Sequence, residues 1–419
     1  MKKLLILGGN FTEVDIVKRA KSLGYYTIVT DNHTDWHLSP AKMCADEGWN
    51  ISWSDVDALE KKCRESSVDG ILAGFSEFRV ENMIKLCERL NFPCSLTMHQ
   101  LDVTRDKIFF KDTCRTFGLQ IIPEHNISDK DITFPVIVKP VDRAGSIGVN
   151  VAHNQEELLS FYETALELSP SKHVIIEDYI TKGTKVDVYY YVKDNTATFL
   201  GSSDTIMCKG NIGAKILQKA WPFRSKYEDL YLRNVDRNVK KMLVGLGINN
   251  AYATMSMFFL DGKFYFFEAG FRLSGEMSYH YYESISGLNY LDSMIKFSMG
   301  DDDISDFCQY PSQSGTCVVL NFFGLDGTVE EIKGIDVLLE DANIYDCKMY
   351  VDVHDKIINA TNVLHKIAMF TIVAKNHETL MSTIGKVNSS FDICDKNGKS
   401  LIYERVTQDE LAQYYTNTI

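Results

Sequence analysis

The run Phe134-Pro135-Val136-Ile137-Val138-Lys139-Pro140-Val141-Asp142-Arg143-Ala144-Gly145-Ser146-Ile147-Gly148-Val149 decides the reading of this chain. Its apolar stretch is a strand ending in a lysine, and a turn of small residues leads into a second strand over Val149 to Ala152. Together they predict a hairpin flap. Gly145 and Gly148 let backbone N–H groups come close to an anion, as phosphate-cradling loops do. Gly-Ser turns are also common in plain hairpins, so the flap alone leaves a phosphate role and a simple turn both open.

The surroundings narrow the choice. A helix pattern over Thr104 to Phe117 carries Lys107, which taken alone reads as an ordinary solvated helix lysine. Val174-Ile175-Ile176-Glu177-Asp178-Tyr179-Ile180 is a further strand, followed by another from Val186 to Val192. Ala251 to Leu260 and Lys263 to Glu268 predict a hairpin joined by Asp261-Gly262. The sequence then reads Phe267-Glu268-Ala269-Gly270-Phe271-Arg272-Leu273-Ser274-Gly275. A carboxylate ending a strand that should be buried needs a partner, and Arg272 or a metal ion would supply one to Glu268.

The first hundred residues alternate short apolar strands (Leu4 to Leu7, Thr27 to Thr30, Gly70 to Ala73) with helices (Thr12 to Leu23, Val56 to Glu65, Phe78 to Leu90). That alternation predicts a doubly wound parallel sheet, with ligands at the strand ends near Gly8-Gly9-Asn10, Asp31 and Gly74 to Glu77. Gly8-Gly9 invites a dinucleotide reading, but Thr12 and Glu13 stand where the fingerprint needs its third glycine. From Gly315 onward the pattern predicts short strands with two helices, one around His377 to Val387.

The composition sets outer limits. Among 419 residues, 44 Lys and Arg face 57 Asp and Glu, a net charge of −13. That balance argues against a coat for nucleic acid or for an anionic membrane, since phosphate binding rests on clustered cations. The ten cysteines form no CxxC pair and read as reduced thiols of a cytoplasmic protein. No apolar run approaches the roughly 20 residues of a membrane span, and Leu4 to Leu7 is too short for a signal peptide.

Taken together, Lys107, the flap, Glu177 to Ile180 and Glu268 to Gly275 resemble the ATP-grasp superfamily. The resemblance is to the branch of biotin carboxylase, carbamoyl-phosphate synthase and L-amino-acid ligases. It implies a multidomain α/β and α+β protein. Residues 1–100 would be a Rossmann-like amino-terminal domain, and 101–305 a two-lobed ATP-grasp domain with its small lobe at about 115–182. Residues 306–419 would be a small α+β carboxyl-terminal domain. It implies ATP and Mg²⁺ or Mn²⁺ as cofactors, a small-molecule carboxylate and an amine as substrates, neither nucleic acid nor membrane as partner, and a homodimer as the assembly.

Residue by residue, the resemblance implies that Lys107 and Lys139 hold ATP phosphates. The flap that folds over them includes Ala144, Gly145, Ser146 and Gly148. Glu177, Tyr179 and Ile180 belong to the hinge that receives adenine. Glu268 bridges magnesium to ATP, and Arg272 steadies the transferred phosphoryl group. Gly9, Glu77, Arg272 and Gly275 would line the acceptor crevice. Three departures stand out. Ala253 to Ser256 hold no carboxylate where the family has another metal ligand, which turns attention to Glu276. Gly270 replaces a polar residue two positions after Glu268. Lys185 replaces the ribose-binding glutamate, leaving Asp187, on the same strand face, to take that contact. Tyr279-His280-Tyr281-Tyr282-Glu283 reads either as an acceptor pocket wall or as an aromatic helix face. The expected activity is an ATP-dependent carboxylate–amine ligase working through an acyl phosphate. The alternatives are a bicarbonate-activating enzyme and a nucleotide-binding regulator that has lost turnover.

Overall fold

A computed structural model describes residues 1–143, 147–209, 217–301, 307, 315–359 and 365–415. The flap residues Ala144, Gly145 and Ser146 therefore lie outside the described residues. The amino-terminal strands form a parallel four-stranded sheet in the order Glu47–Trp49, Tyr26–Thr30, Lys3–Leu7, Gly70–Leu72. Leu4, Leu5, Ile6 and Leu7 are all fully buried, because helices cover both faces of the sheet.

A second, antiparallel sheet holds Glu124–His125, Val174–Asp178, Val136–Pro140 and Asn150–Ala152. Helix Gln155–Leu168 closes it over a small core of Val136, Val138, Ala152, Leu158, Ala165 and Ile176. Residues 179–183 then pass directly into the central sheet. That sheet has nine strands, with main order Lys263–Gly270, Ala251–Leu260, Thr184–Lys193, Thr196–Asp204, Gln218–Phe223, Thr316–Gly324, His365–Ala374, Ile344–Met349.

The central sheet runs unbroken past the expected boundary at residue 305, through the pairing of Gln218–Phe223 with Thr316–Gly324. The carboxyl-terminal strands are longer than the sequence pattern predicts, and three helices accompany them among the described residues: Ile335–Leu339, His377–Ser390 and Gln408–Tyr415. Thr316–Gly324 and His365–Ala374 are buried almost throughout, so they read as continuous apolar runs with no alternation to mark their length.

The helix expected over Thr104 to Phe117 is two helices, Met98–Arg105 and Lys107–Thr116. Asp106 separates them, because its carboxylate accepts from the backbone N–H groups of Ile108 and Phe109 and so caps the second helix.

The three segments are tied together by ion pairs. Arg19 of helix Glu13–Ser22 meets Glu283 and Asp292 at 2.6 and 2.8 Å. Asp15 on the same helix accepts from Tyr279 Oη at 2.7 Å and pairs with Lys348 and with His280 at 3.1 Å. Asp346 lies 3.2 Å from Lys348 and 3.5 Å from His280, and the Tyr345 ring packs against the imidazole. Burial opposes the His280 charge, but its hydrogen bond to Asp15 and the nearby Asp346 carboxylate outweigh it and raise the pKa above the ordinary 6.5. The His280 contribution is therefore complete below about pH 6.5 and is lost as pH rises through the higher folded value. Relative to His280→Asn, the wild type should hold a Tm advantage at pH 6 that shrinks steadily toward pH 9, measured by thermal melts across that range.

Candidate functional site

The loop after the first strand is filled from within. Gly8 has φ +107°, and a Cβ there would lie 2.4 Å from Arg79 Nη1. A Cβ on Gly9 would lie 1.8 Å from Ser39 Oγ and 2.1 Å from Asp31 Oδ2. Asp31 is held by Lys42 at 2.6 Å, and Arg79 pairs with the fully buried Glu13 at 2.5 Å. The glycines thus admit the protein's own side chains at the place where a dinucleotide reading would put a pyrophosphate.

Glu77 opens helix Glu77–Leu90 and faces Arg272, whose Nε is 3.8 Å from its carboxylate. Burial raises the Glu77 pKa against the pull of Arg272, and the nearby Glu268 adds to the rise. Arg272 also donates from Nη1 to the Leu273 carbonyl at 3.2 Å, and its Nε has no hydrogen-bond partner among the described residues.

Lys107 is the first residue of its helix and donates to the carbonyls of Val141 and Arg143 at 3.2 and 2.8 Å. It therefore ties that helix to the root of the flap. Burial lowers its pKa, Lys139 lowers it further, and Glu268 and Glu77 oppose both. Lys107 is thus within electrostatic reach of Lys139, Glu268 and Glu77, and Arg272 faces Glu77. Gly148 has φ +75° and packs against Pro140 and Leu168, turning the chain into Asn150–Ala152.

Lys139, only 8% exposed, ion-pairs with Glu177. Glu177 is 1% exposed and also takes Lys111 at 2.6 Å, while Lys111 reaches Glu124 at 2.8 Å. Burial opposes the Glu177 charge, but Lys139 and Lys111 overcome it and lower its pKa. The Glu177 side chain is thus a buried anchor for Lys139. Tyr179 and Ile180, both half-buried, begin the connection between the two sheets. Lys111 was missed in the sequence, although it follows Lys107 by one helical turn on the same face.

Across the central sheet, Asp187 lies opposite Ser256, and Ser256 opposite Glu268. Glu268 is exposed and makes no hydrogen bond or ion pair among the described residues. An exposed, unpaired carboxylate within electrostatic reach of Lys107 fits a magnesium ion that takes its other ligands from phosphate and water. Asp187 instead accepts from Ser256 Oγ at 2.5 Å and from Thr205 Oγ1 at 3.3 Å and pairs with Lys185. Glu276 is buried beside Ser274 and Asp187, and burial followed by the Asp187 charge raises its pKa. A Cβ on Gly275 would meet nothing within 4 Å, so the chain there borders open space. One cluster with metal-ligand geometry occurs among the described residues, Asp15–His280–Asp346, and Lys348 is bound within it.

Residues 121–230 match the family described as D-ala D-ala ligase C-terminus. A formate-dependent phosphoribosylglycinamide formyltransferase of Prochlorococcus marinus subsp. pastoris is 27% identical over 191 residues, 43% of this chain and 48% of the relative. The chain thus matches about half the length of that relative. Among solved structures, an L-amino acid ligase from Bacillus licheniformis superposes with TM-score 0.77 at 17% identity, covering 95% of this chain and 99% of that one. The biotin carboxylase domain of Hydrogenobacter thermophilus 2-oxoglutarate carboxylase, solved with MgADP, ADP and bicarbonate, gives 0.77 at 18%, covering 96% and 91%. These matches agree with the resemblance to the ATP-grasp superfamily read from the sequence. The chain's parallel amino-terminal sheet and large antiparallel sheet match the biotin-carboxylase-like fold of these structures. No helix among the described residues is long and apolar enough to cross a membrane. The nine described cysteines are all free thiols.

Proposed function

We propose that this protein is a carboxylate–amine ligase of the ATP-grasp type. The observation that carries the reading is the convergence of Lys107, Lys139, Glu77, Glu268 and Arg272 where the flap sheet meets the central sheet. In a chain of net charge −13, cations gathered at one mouth serve a ligand more acidic than the protein's own surface.

A substrate carboxylate oxygen would attack the γ-phosphorus of ATP, giving an acyl phosphate and ADP. The amine nitrogen would then attack the acyl carbon, phosphate would leave, and the amine would lose a proton. Lys107 and Lys139 would hold the phosphates and Arg272 the phosphoryl group in flight, since phosphoryl transfer depends mainly on position and charge. Glu268 would hold a magnesium ion, which when bound would supply neutralisation of developing charge. Adenine would lie at Tyr179 and Ile180, and the flap from Ala144 to Gly148 would keep water from the acyl phosphate. Glu77, Gly9 and Gly275 remain the acceptor-side proposals, Asp187 the ribose proposal, and Glu276 a second metal-ligand proposal. Domains at 1–100, 101–305 and 306–419, a homodimer and a cytoplasmic setting complete the reading.

Ser256, standing opposite Glu268 without a carboxylate, supports a second reading in which nucleotide binds without turnover. Measuring ADP release over panels of carboxylates and amines decides between them. The ligase reading expects ADP formation that requires both a carboxylate and an amine. Release with bicarbonate alone would favour carboxylase chemistry. Tight ATP binding with no substrate-dependent ADP from any pair would sink the ligase reading.

A further inference from the structure

The central sheet has a face turned away from the ATP-side carboxylates. Side chains alternate along a strand, so Phe259 lies on the side opposite Ser256, and Asp204 on the side opposite Ser203, the neighbour of Asp187. On that rear side lies a cleft of about 630 Å³, lined by Lys226, Tyr227, Arg233, Phe259, His377 and Tyr414 among others. Its volume is in the roughly 300–1,000 Å³ range of small-molecule sites.

We propose that this cleft binds a small aromatic anion, a planar ring bearing a phosphate or carboxylate. Tyr227 and Phe259 pack with ring centroids 3.9 Å apart and form one wall. Lys226 Nζ stands 5.2 Å from the Tyr227 ring and 4.6 Å from the Tyr414 ring, so a cation is held between two aromatic faces. Asp204 fixes this arrangement from beneath: it is fully buried, and accepts from Ser225 Oγ at 2.6 Å and from the Lys226 backbone N–H at 3.1 Å.

The charges of the lining select the sign of the ligand. Arg224 is matched by Glu228 and by Asp229 at 2.7 Å. Arg233 is exposed and makes no ion pair among the described residues. The cleft therefore presents Lys226 and Arg233 beside its rings. A ring alone would leave Arg233 unmatched, and a bare anion would leave the aromatic walls uncovered; a ligand carrying both satisfies the site.

The test uses the full chain with its ATP site saturated by a non-hydrolysable ATP analogue and magnesium. Phenyl phosphate is titrated by calorimetry, beside inorganic phosphate and phenol. One saturable equivalent of phenyl phosphate is expected, with each control at least tenfold weaker. The pair Lys226→Met and Arg233→Gln should weaken binding by at least tenfold, as should Tyr414→Ala, while circular dichroism and melting confirm that the variants are folded. Absence of saturable binding, unchanged affinity in the folded variants, or inorganic phosphate binding as tightly as phenyl phosphate would each overturn the proposal.

Discussion

Glu268→Gln is expected to lower substrate-dependent ADP release by roughly 10²–10³-fold, the scale of losing one group aimed at developing charge, and to leave the fold intact. The substitution keeps the size and removes the charge of a side chain that is exposed and makes no ion pair or hydrogen bond among the described residues. Surface changes away from buried networks typically alter stability by no more than about 0.5 kcal/mol. A catalytic loss therefore cannot be charged to unfolding. Because the position opposite Glu268 is Ser256, no neighbouring carboxylate in that cross-strand pair can take over. The magnesium concentration for half-maximal rate should rise sharply in the variant. Titrating magnesium in steady-state assays, with a thermal melt as control, checks both effects. A variant that keeps wild-type magnesium dependence would exclude Glu268 as the metal-binding carboxylate.

The strands that build the site were legible because each carries its own local signal. Lys3–Leu7 is short and apolar, Val136–Pro140 ends in a lysine, and Lys263–Gly270 pairs with its neighbour through an Asp-Gly turn. What local patterns cannot give is the partner of a charge. Lys139 and Glu177 are both visible in the sequence, yet their ion pair joins two strands whose register sets Ile137 opposite Glu177 and Lys139 opposite Ile175. Lys111 was hidden for the same reason, as an interior helix lysine looks solvated until a strand carboxylate is placed against it. Asp106 shows the reverse case. Its capping role is local, but a charged residue inside a run of helix formers does not break the periodicity that predicts one long helix.

Glu177→Leu should be the most destabilising single substitution near the site, at about 3–5 kcal/mol, the usual cost of breaking a buried ion pair by removing one partner. Lys111 would keep Glu124 at 2.8 Å, so the charge left without its partner is that of Lys139. The wild-type pH dependence follows from the lowered Glu177 pKa. Its contribution is present above the ordinary glutamate value of 4.5 and is lost as pH falls through the folded value below it. Acid melts of the wild type should therefore steepen below about pH 4.5, and those of Glu177→Leu should lack that component. Lys139→Met gives the complementary result: Glu177 retains Lys111 at 2.6 Å, so stability falls less while ATP affinity falls more. Denaturant unfolding ranks the two variants by stability, and nucleotide titration ranks them by affinity. If both fall in the same order, the pair is an anchor without a share in binding; opposite orders mean that Glu177 holds Lys139 for the nucleotide.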